Sequence, residues 1–207
     1  MSDVVQQQTG PAWETAQWLN RPPRATTDDT GALVVTTADG TDFWRRTSYG
    51  YIRDDGHALL TPFPQGGMVE VTFEADFTDL YDQAGLMIRV DAENWVKAGI
   101  EYTDGAPHLS AVVTREFSDW SQSPVPDWAG APVTIRAARA GDALTLRARR
   151  ADGPWRMFRL VPLAPDAPAT AGPFCCSPER EGLTVRFTTF TTSQAEAEAE
   201  AGAPQVP

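Results

Sequence analysis

The chain has 207 residues, 42% of them hydrophobic and seven of them Trp, which suits one packed domain and argues against a disordered chain. Seventeen basic residues against 28 acidic ones give a formal charge of −11. That balance sets aside nucleic acid and anionic membranes as partners.

The N-terminus, MSDVVQQQTG, lacks the basic start and apolar run of a secretory signal, and no window is long and apolar enough for a membrane-spanning helix. The only cysteines are the neighbours Cys175 and Cys176. A bridge between adjacent residues is strained and no distant partner exists, so both are expected as reduced thiols, in keeping with a cytoplasmic protein. With His57 and His108 scattered, no set of residues has metal-ligand spacing, and neither a metal nor a cofactor is expected.

In chain order, residues 1–10 read as a flexible N-terminus, and one domain is expected over 11–192. Trp13, Trp18 and Leu19 precede Pro22 and Pro23, which exclude helix. Leu33–Thr37 is a β-branched run closed by Ala38-Asp39-Gly40. The segment FWRRTSYGYIRDDG (43–56) reads as an aromatic-rich edge.

From Met68 the pattern sharpens. Val69, Val71, Phe73, Ala75 and Phe77 alternate with Glu70, Thr72, Glu74 and Asp76, as in a strand with one wet face. Ala84, Leu86, Ile88 and Val90 repeat the apolar set opposite Gln83, Gly85, Met87 and Arg89. After a turn at 91–94, Val96, Ala98, Ile100 and Tyr102 oppose Trp95, Lys97, Gly99 and Glu101. Asp104-Gly105 signals a hairpin. Further strands are read at 133–139, 144–150, 155–161 and 183–190, with a Pro/Ala-rich excursion at 162–173. Residues 193–207 form an Ala/Glu-rich tail expected to be disordered. Roughly ten or more short strands without an amphipathic helix predict an all-β fold, a two-sheet antiparallel jelly-roll sandwich.

Parity then predicts a site. If the strands around the 91–94 turn pair as a hairpin, Gln83, Arg89, Trp95, Lys97 and Glu101 share one face, with Gly85 and Gly99 leaving room for a bound ring. Donors, acceptors and an aromatic plane together suit a sugar, though the same pattern fits a solvated sheet face. On the binding reading, Arg89→Ala and Lys97→Ala abolish ligand response and leave the unliganded protein's stability unchanged. The loop around Arg115, Ser118, Asp119 and Trp120 is the second candidate, Asp119 holding a hydroxyl beside a stacking Trp120; an Asx-type turn fits it equally. Glu101 with Asp119 or Glu116 is the most plausible carboxylate pair for hydrolysis. No nucleophile elbow occurs.

The runs DQAGLMIRVDAENWVKAGIEYTDG (82–105), SAVVTREFSDWS (110–121) and FCCSPEREGLTVRFTTF (174–190), with DFWRRTSYGY (42–51), resemble the DUF1349 family, similar to the fungal regulator-of-enolase proteins. The resemblance implies a concanavalin A-like lectin/glucanase sandwich and a tie to sugar metabolism, and it supplies no catalytic residues. Three alternative functions are therefore expected: a protein that binds a carbohydrate, sugar phosphate or other small metabolite; a glycan-active hydrolase or lyase using Glu101 or Asp119; or a regulatory protein docking on a metabolic enzyme.

Overall fold

The computed structural model describes residues 12–194. The expected flexible N-terminus (1–10) and all but the first two residues of the expected tail (193–207) lie outside the described residues. The first six strands are short: β1 (Gln17–Leu19), β2 (Arg24–Thr27), β3 (Leu33–Thr36), β4 (Phe43–Arg45), β5 (Ile52–Asp54) and β6 (His57–Pro62). Five longer ones follow: β7 (Gly67–Ala75), β8 (Gln83–Arg89), β9 (Asn94–Thr103), β10 (Ala106–Arg115) and β11 (Phe117–Pro124). The last five are β12 (Val133–Ala140), β13 (Ala143–Arg150), β14 (Arg156–Pro162), β15 (Thr170–Cys176) and β16 (Thr184–Gln194). No described helix is long and apolar enough to cross a membrane.

Two seven-stranded antiparallel sheets form the sandwich. Sheet A runs β1-β6-β15-β8-β9-β10-β11, and sheet B runs β14-β13-β12-β7-β16-β3-β2. Their inner faces meet in one apolar core. Val69, Val71 and Phe73 from β7 and Phe187 and Phe190 from β16 pack with Ala84, Leu86, Ile88, Ala98 and Ile100 of sheet A. Burying each larger side chain contributes about 1.5–3 kcal/mol, and the two-residue period of a strand delivers them all to one side.

The turns follow their residues. At the β9–β10 connection Asp104 and Gly105 both have positive φ (52° and 74°), the geometry of the tight hairpin that Asp-Gly favours. Before β9, Asp91 Oδ1 accepts from the backbone N–H groups of Glu93 and Asn94, both at 2.8 Å.

Two expectations are corrected. The Ser118–Trp120 loop is part of strand β11, so its successive side chains point to opposite faces. The Pro/Ala-rich excursion ends inside β15, which lies in the middle of sheet A between β6 and β8 and includes Pro173. The ladder to β6 skips Gly172 and Pro173, so the missing proline N–H breaks no pairing there. In β15, Cys175 faces the inter-sheet core and Cys176 the outer face of sheet A, and both are free thiols.

Candidate functional site

The register of β8 against β9 pairs Gln83 with Glu101, Gly85 with Gly99, Met87 with Lys97, and Arg89 with Trp95. All these side chains therefore leave sheet A on the side away from sheet B. β10 and β11 extend that face with Ser110, Val112, Thr114, Ser118 and Trp120.

The face is not solvated as its charges suggest. The hairpin β4–β5 folds back across it, driving Phe43 and Trp44 into a second apolar cluster with Met87, Trp95, Val112, Phe174 and Cys176. Ion pairs fasten the hairpin at several points. Arg89 donates two hydrogen bonds to the Asp54 carboxylate, both 2.8 Å. Lys97 Nζ lies 2.9 Å from Asp42 Oδ1, and Arg45 reaches Glu93 at 2.6 Å. The Arg45 backbone N–H donates to Ser118 Oγ at 2.9 Å. Arg89, Lys97 and Ser118 are thus engaged by the protein itself, and Trp95 is buried against Phe43.

Glu101 differs from these. It is 6% exposed, and its Oε2 accepts from Ser110 Oγ at 2.6 Å and from Trp120 Nε1 at 2.9 Å. Its Oε1 accepts no hydrogen bond from another described residue. Lys97 is held by Asp42 and makes no direct ion pair with Glu101 within 4 Å among the described residues. Burial pushes the Glu101 carboxyl above the ordinary carboxylate range, against the pull of Lys97 and the Ser110 bond. Gln83 donates to Tyr81 O at 3.1 Å and Asp42 Oδ1 at 3.4 Å, closing the polar row.

Aromatic rings border this row. Tyr49 and Tyr51, 51% and 47% exposed, stack at 5.5 Å and 15°. Tyr49 meets Trp44 edge-on at 5.6 Å, Trp44 meets Trp120 at 6.3 Å, and Trp120 meets Tyr81 at 6.2 Å. Tyr81 has its hydroxyl raised by burial, by interaction with the Tyr49 hydroxyl and by the charges of Glu101 and Glu179. Tyr51 is raised by burial and by Asp42.

The backbone is strained around the same place. Arg46, Ser48, Tyr81 and Glu116 all have φ between 59° and 64°. A non-glycine residue held there costs about 1–3 kcal/mol, and such residues collect at functional sites. Two of the four lie in the β4–β5 turn that carries Tyr49.

The other predicted residues go elsewhere. Asp119 leaves β11 on the opposite side from Trp120 and pairs with Arg159 of β14 at 2.7 Å. Arg115 lies on that same inner side, donating to Pro162 O and lining a cavity of about 510 Å³ between the sheets with Ile88, Val113, Leu144 and Val161. Glu101 and Asp119 are on different faces of sheet A, so one bond cannot lie between them. Glu116 pairs with Arg46 at the exposed surface. Sequence reasoning missed Asp42, Tyr49, Tyr51 and Ser110. Tyr49-Gly50-Tyr51 was legible as aromatic, but nothing local shows that residues 42–54 return over β8 and β9.

Comparison with known proteins agrees with this architecture. A family model described as "Protein of unknown function (DUF1349)" matches residues 18–195. "Regulation of enolase protein 1" from Saccharomyces cerevisiae is 36% identical over 174 residues, 84% of this chain and 87% of that protein. A crystal structure of a functionally unknown protein from Saccharomyces cerevisiae superposes with a TM-score of 0.82 at 34% identity, covering 88% of this chain and 97% of that one. The GH43 protein BlXynB from Bacillus licheniformis shares the fold alone, with a TM-score of 0.68 and 14% identity, covering 94% of this chain and 41% of that one. The chain belongs to the DUF1349 family.

Proposed function

We propose that the protein binds a carbohydrate on the outer face of sheet A, at the Tyr49/Tyr51 border beside Glu101. The observation that carries this reading is Glu101 itself. It is a buried carboxylate whose Oε2 is fixed by Ser110 and Trp120 and whose Oε1 is left to accept, at one end of a row of rings that runs from Trp120 through Trp44 to two exposed stacked tyrosines. Sugars present apolar ring faces that lie on aromatic planes and hydroxyls that need acceptors, and this arrangement offers both. The chain shares its fold with the GH43 protein BlXynB and, at a TM-score of 0.54 and 11% identity, with an alginate lyase from Klebsiella pneumoniae, which accords with it. A catalytic reading has less support, because Asp119 is on the far face of the sheet and the tyrosine hydroxyls are shifted away from serving as bases.

The test is calorimetric titration of the full chain with neutral hexoses and short oligosaccharides. Saturable binding to the wild type, weakened at least tenfold by Tyr51→Ala, is expected. Absence of binding across the set would remove the reading.

A second reading, docking on a metabolic enzyme, is favoured by one observation besides the yeast relative's name. Terminal strand β14 of sheet B exposes Met157 and Leu160 at 51% and 58%, an apolar edge of the kind that pairs with another protein. Titrating purified enolase in the same calorimeter tests it; heat that survives Leu160→Glu unchanged would place any contact elsewhere.

A further inference from the structure

Resting on the carbohydrate reading, we infer that this site selects against phosphorylated sugars and prefers an amino sugar, whose ammonium group meets Glu101 Oε1. Three observations point that way. First, the local charge is negative. Asp42 and Glu101 face one ammonium, that of Lys97, the only lysine of the chain. Glu179 adds a further negative charge near Tyr81. The neighbouring arginines are paired: Arg53 with Asp55, Arg180 with Asp79 and Asp82, and Arg46 with Glu116.

Second, the cation that a phosphate would need is out of reach. Lys97 is 4% exposed at its side chain and held 2.9 Å from Asp42. A phosphate approaching Glu101 would meet a buried carboxylate with no free cation among the described residues beside it to offset the charge, and like charges in a partly desolvated site repel strongly.

Third, the border consists of electron-rich rings. Tyr81 lies close enough to Glu101 to feel its charge, Trp120 donates its indole N–H to the carboxylate, Tyr49 and Tyr51 continue the row of rings through Trp44, and the faces of Tyr and Trp attract cations. An ammonium therefore gains a charge-assisted hydrogen bond at Oε1 and the fields of the rings, whereas a hydroxyl gains the hydrogen bond alone. The chain's overall charge of −11 draws cations toward the surface as well.

The experiment compares matched sets: glucose, galactose and mannose, each with its 2-amino-2-deoxy counterpart and its 6-phosphate, titrated into the full chain at a pH where the amine is charged. For the hexose type that binds, the amino sugar is expected at least tenfold tighter than the parent and the phosphate at least tenfold weaker. The preference for the amine should decline as salt rises. Glu101→Gln should bring amino and parent sugars within about twofold, since the amide keeps an acceptor but loses the charge.

Equal affinities, tighter binding of the phosphate, or an amine preference indifferent to salt would overturn the inference and leave the carbohydrate reading standing. If Glu101→Gln does not fold, the salt dependence measured on the wild type decides alone. No binding by any member of the sets, nor by the wider sugar series, would remove both.

Discussion

Lys97→Ala is expected to destabilise the protein by about 3–5 kcal/mol, the usual consequence of stranding one partner of a buried ion pair. The side chains of Lys97 and Asp42 are only 4% and 13% exposed, so water cannot replace the lost ammonium. Asp42 would keep two neutral donors, the Phe43 N–H at 2.7 Å and Gln83 Nε2 at 3.4 Å, which are poor substitutes for a cation. Replacing both members, with Lys97→Met and Asp42→Asn, should cost markedly less than Lys97→Ala alone, because no charge is left unpaired.

The pH dependence has a definite sign. Burial alone would lower the Lys97 ammonium, but Asp42 overcomes it and the net shift is upward from 10.5. The stability this group contributes is fully present below 10.5 and is lost as the pH rises through the higher folded value. Urea titrations of wild type and variant should therefore converge on the alkaline side. A loss of less than about 1 kcal/mol at neutral pH would mean that the pair behaves like a surface ion pair and that the hairpin does not seal this face. This differs from the expectation drawn from parity alone, in which removing Lys97 or Arg89 leaves stability untouched. Both side chains anchor β4–β5.

Gly99→Val is expected to cost about 3 kcal/mol or more, at the upper end of what overpacking does. Gly99 and Gly85 stand opposite each other in the two central strands. A Cβ on Gly99 would lie 2.0 Å from Ala84 O, and one on Gly85 would lie 2.1 Å from Ala98 O. Neither position needs a left-handed backbone, so the cost is one of space. β8 is held by β15 and β9, and β9 by β8 and β10, leaving no free side for either strand to move toward. A Gly99→Val protein that melts within a few degrees of wild type would show that the strands are not so close. The glycines therefore serve the approach of two backbones; the room that the sequence pattern offers to a ligand ring is already filled by carbonyl groups.

These two sites show how far the sequence could be read. Alternation from Gln83 to Glu101 was enough to put Arg89, Lys97 and Glu101 on one side of a sheet, because a period of two has a single structural meaning in paired strands. It could not show that both sides are buried. Sheet A's outer face is covered by residues about 40 positions upstream, and the Asp42–Lys97 and Asp54–Arg89 pairs are contacts between distant segments. Strand β15 is not legible in the sequence because Gly172 and Pro173 interrupt its pattern, though they sit where the ladder to β6 is skipped. FSDWSQSP has no β-branched residue and reads as a loop; as strand β11 it joins Trp120 to Glu101 and carries Asp119 to the far face.

The most direct test follows the indole N–H of Trp120, which donates to Glu101 Oε2 at 2.9 Å, in a two-dimensional NMR titration with the sugar that binds. A binding site at Glu101 predicts that the Trp120 Nε1–H resonance shifts saturably with ligand. The Trp155 indole, set between Arg136 and Arg149 of sheet B, should stay in place. Movement of Trp155 with Trp120 unchanged, under conditions where the sugar binds, would contradict the account.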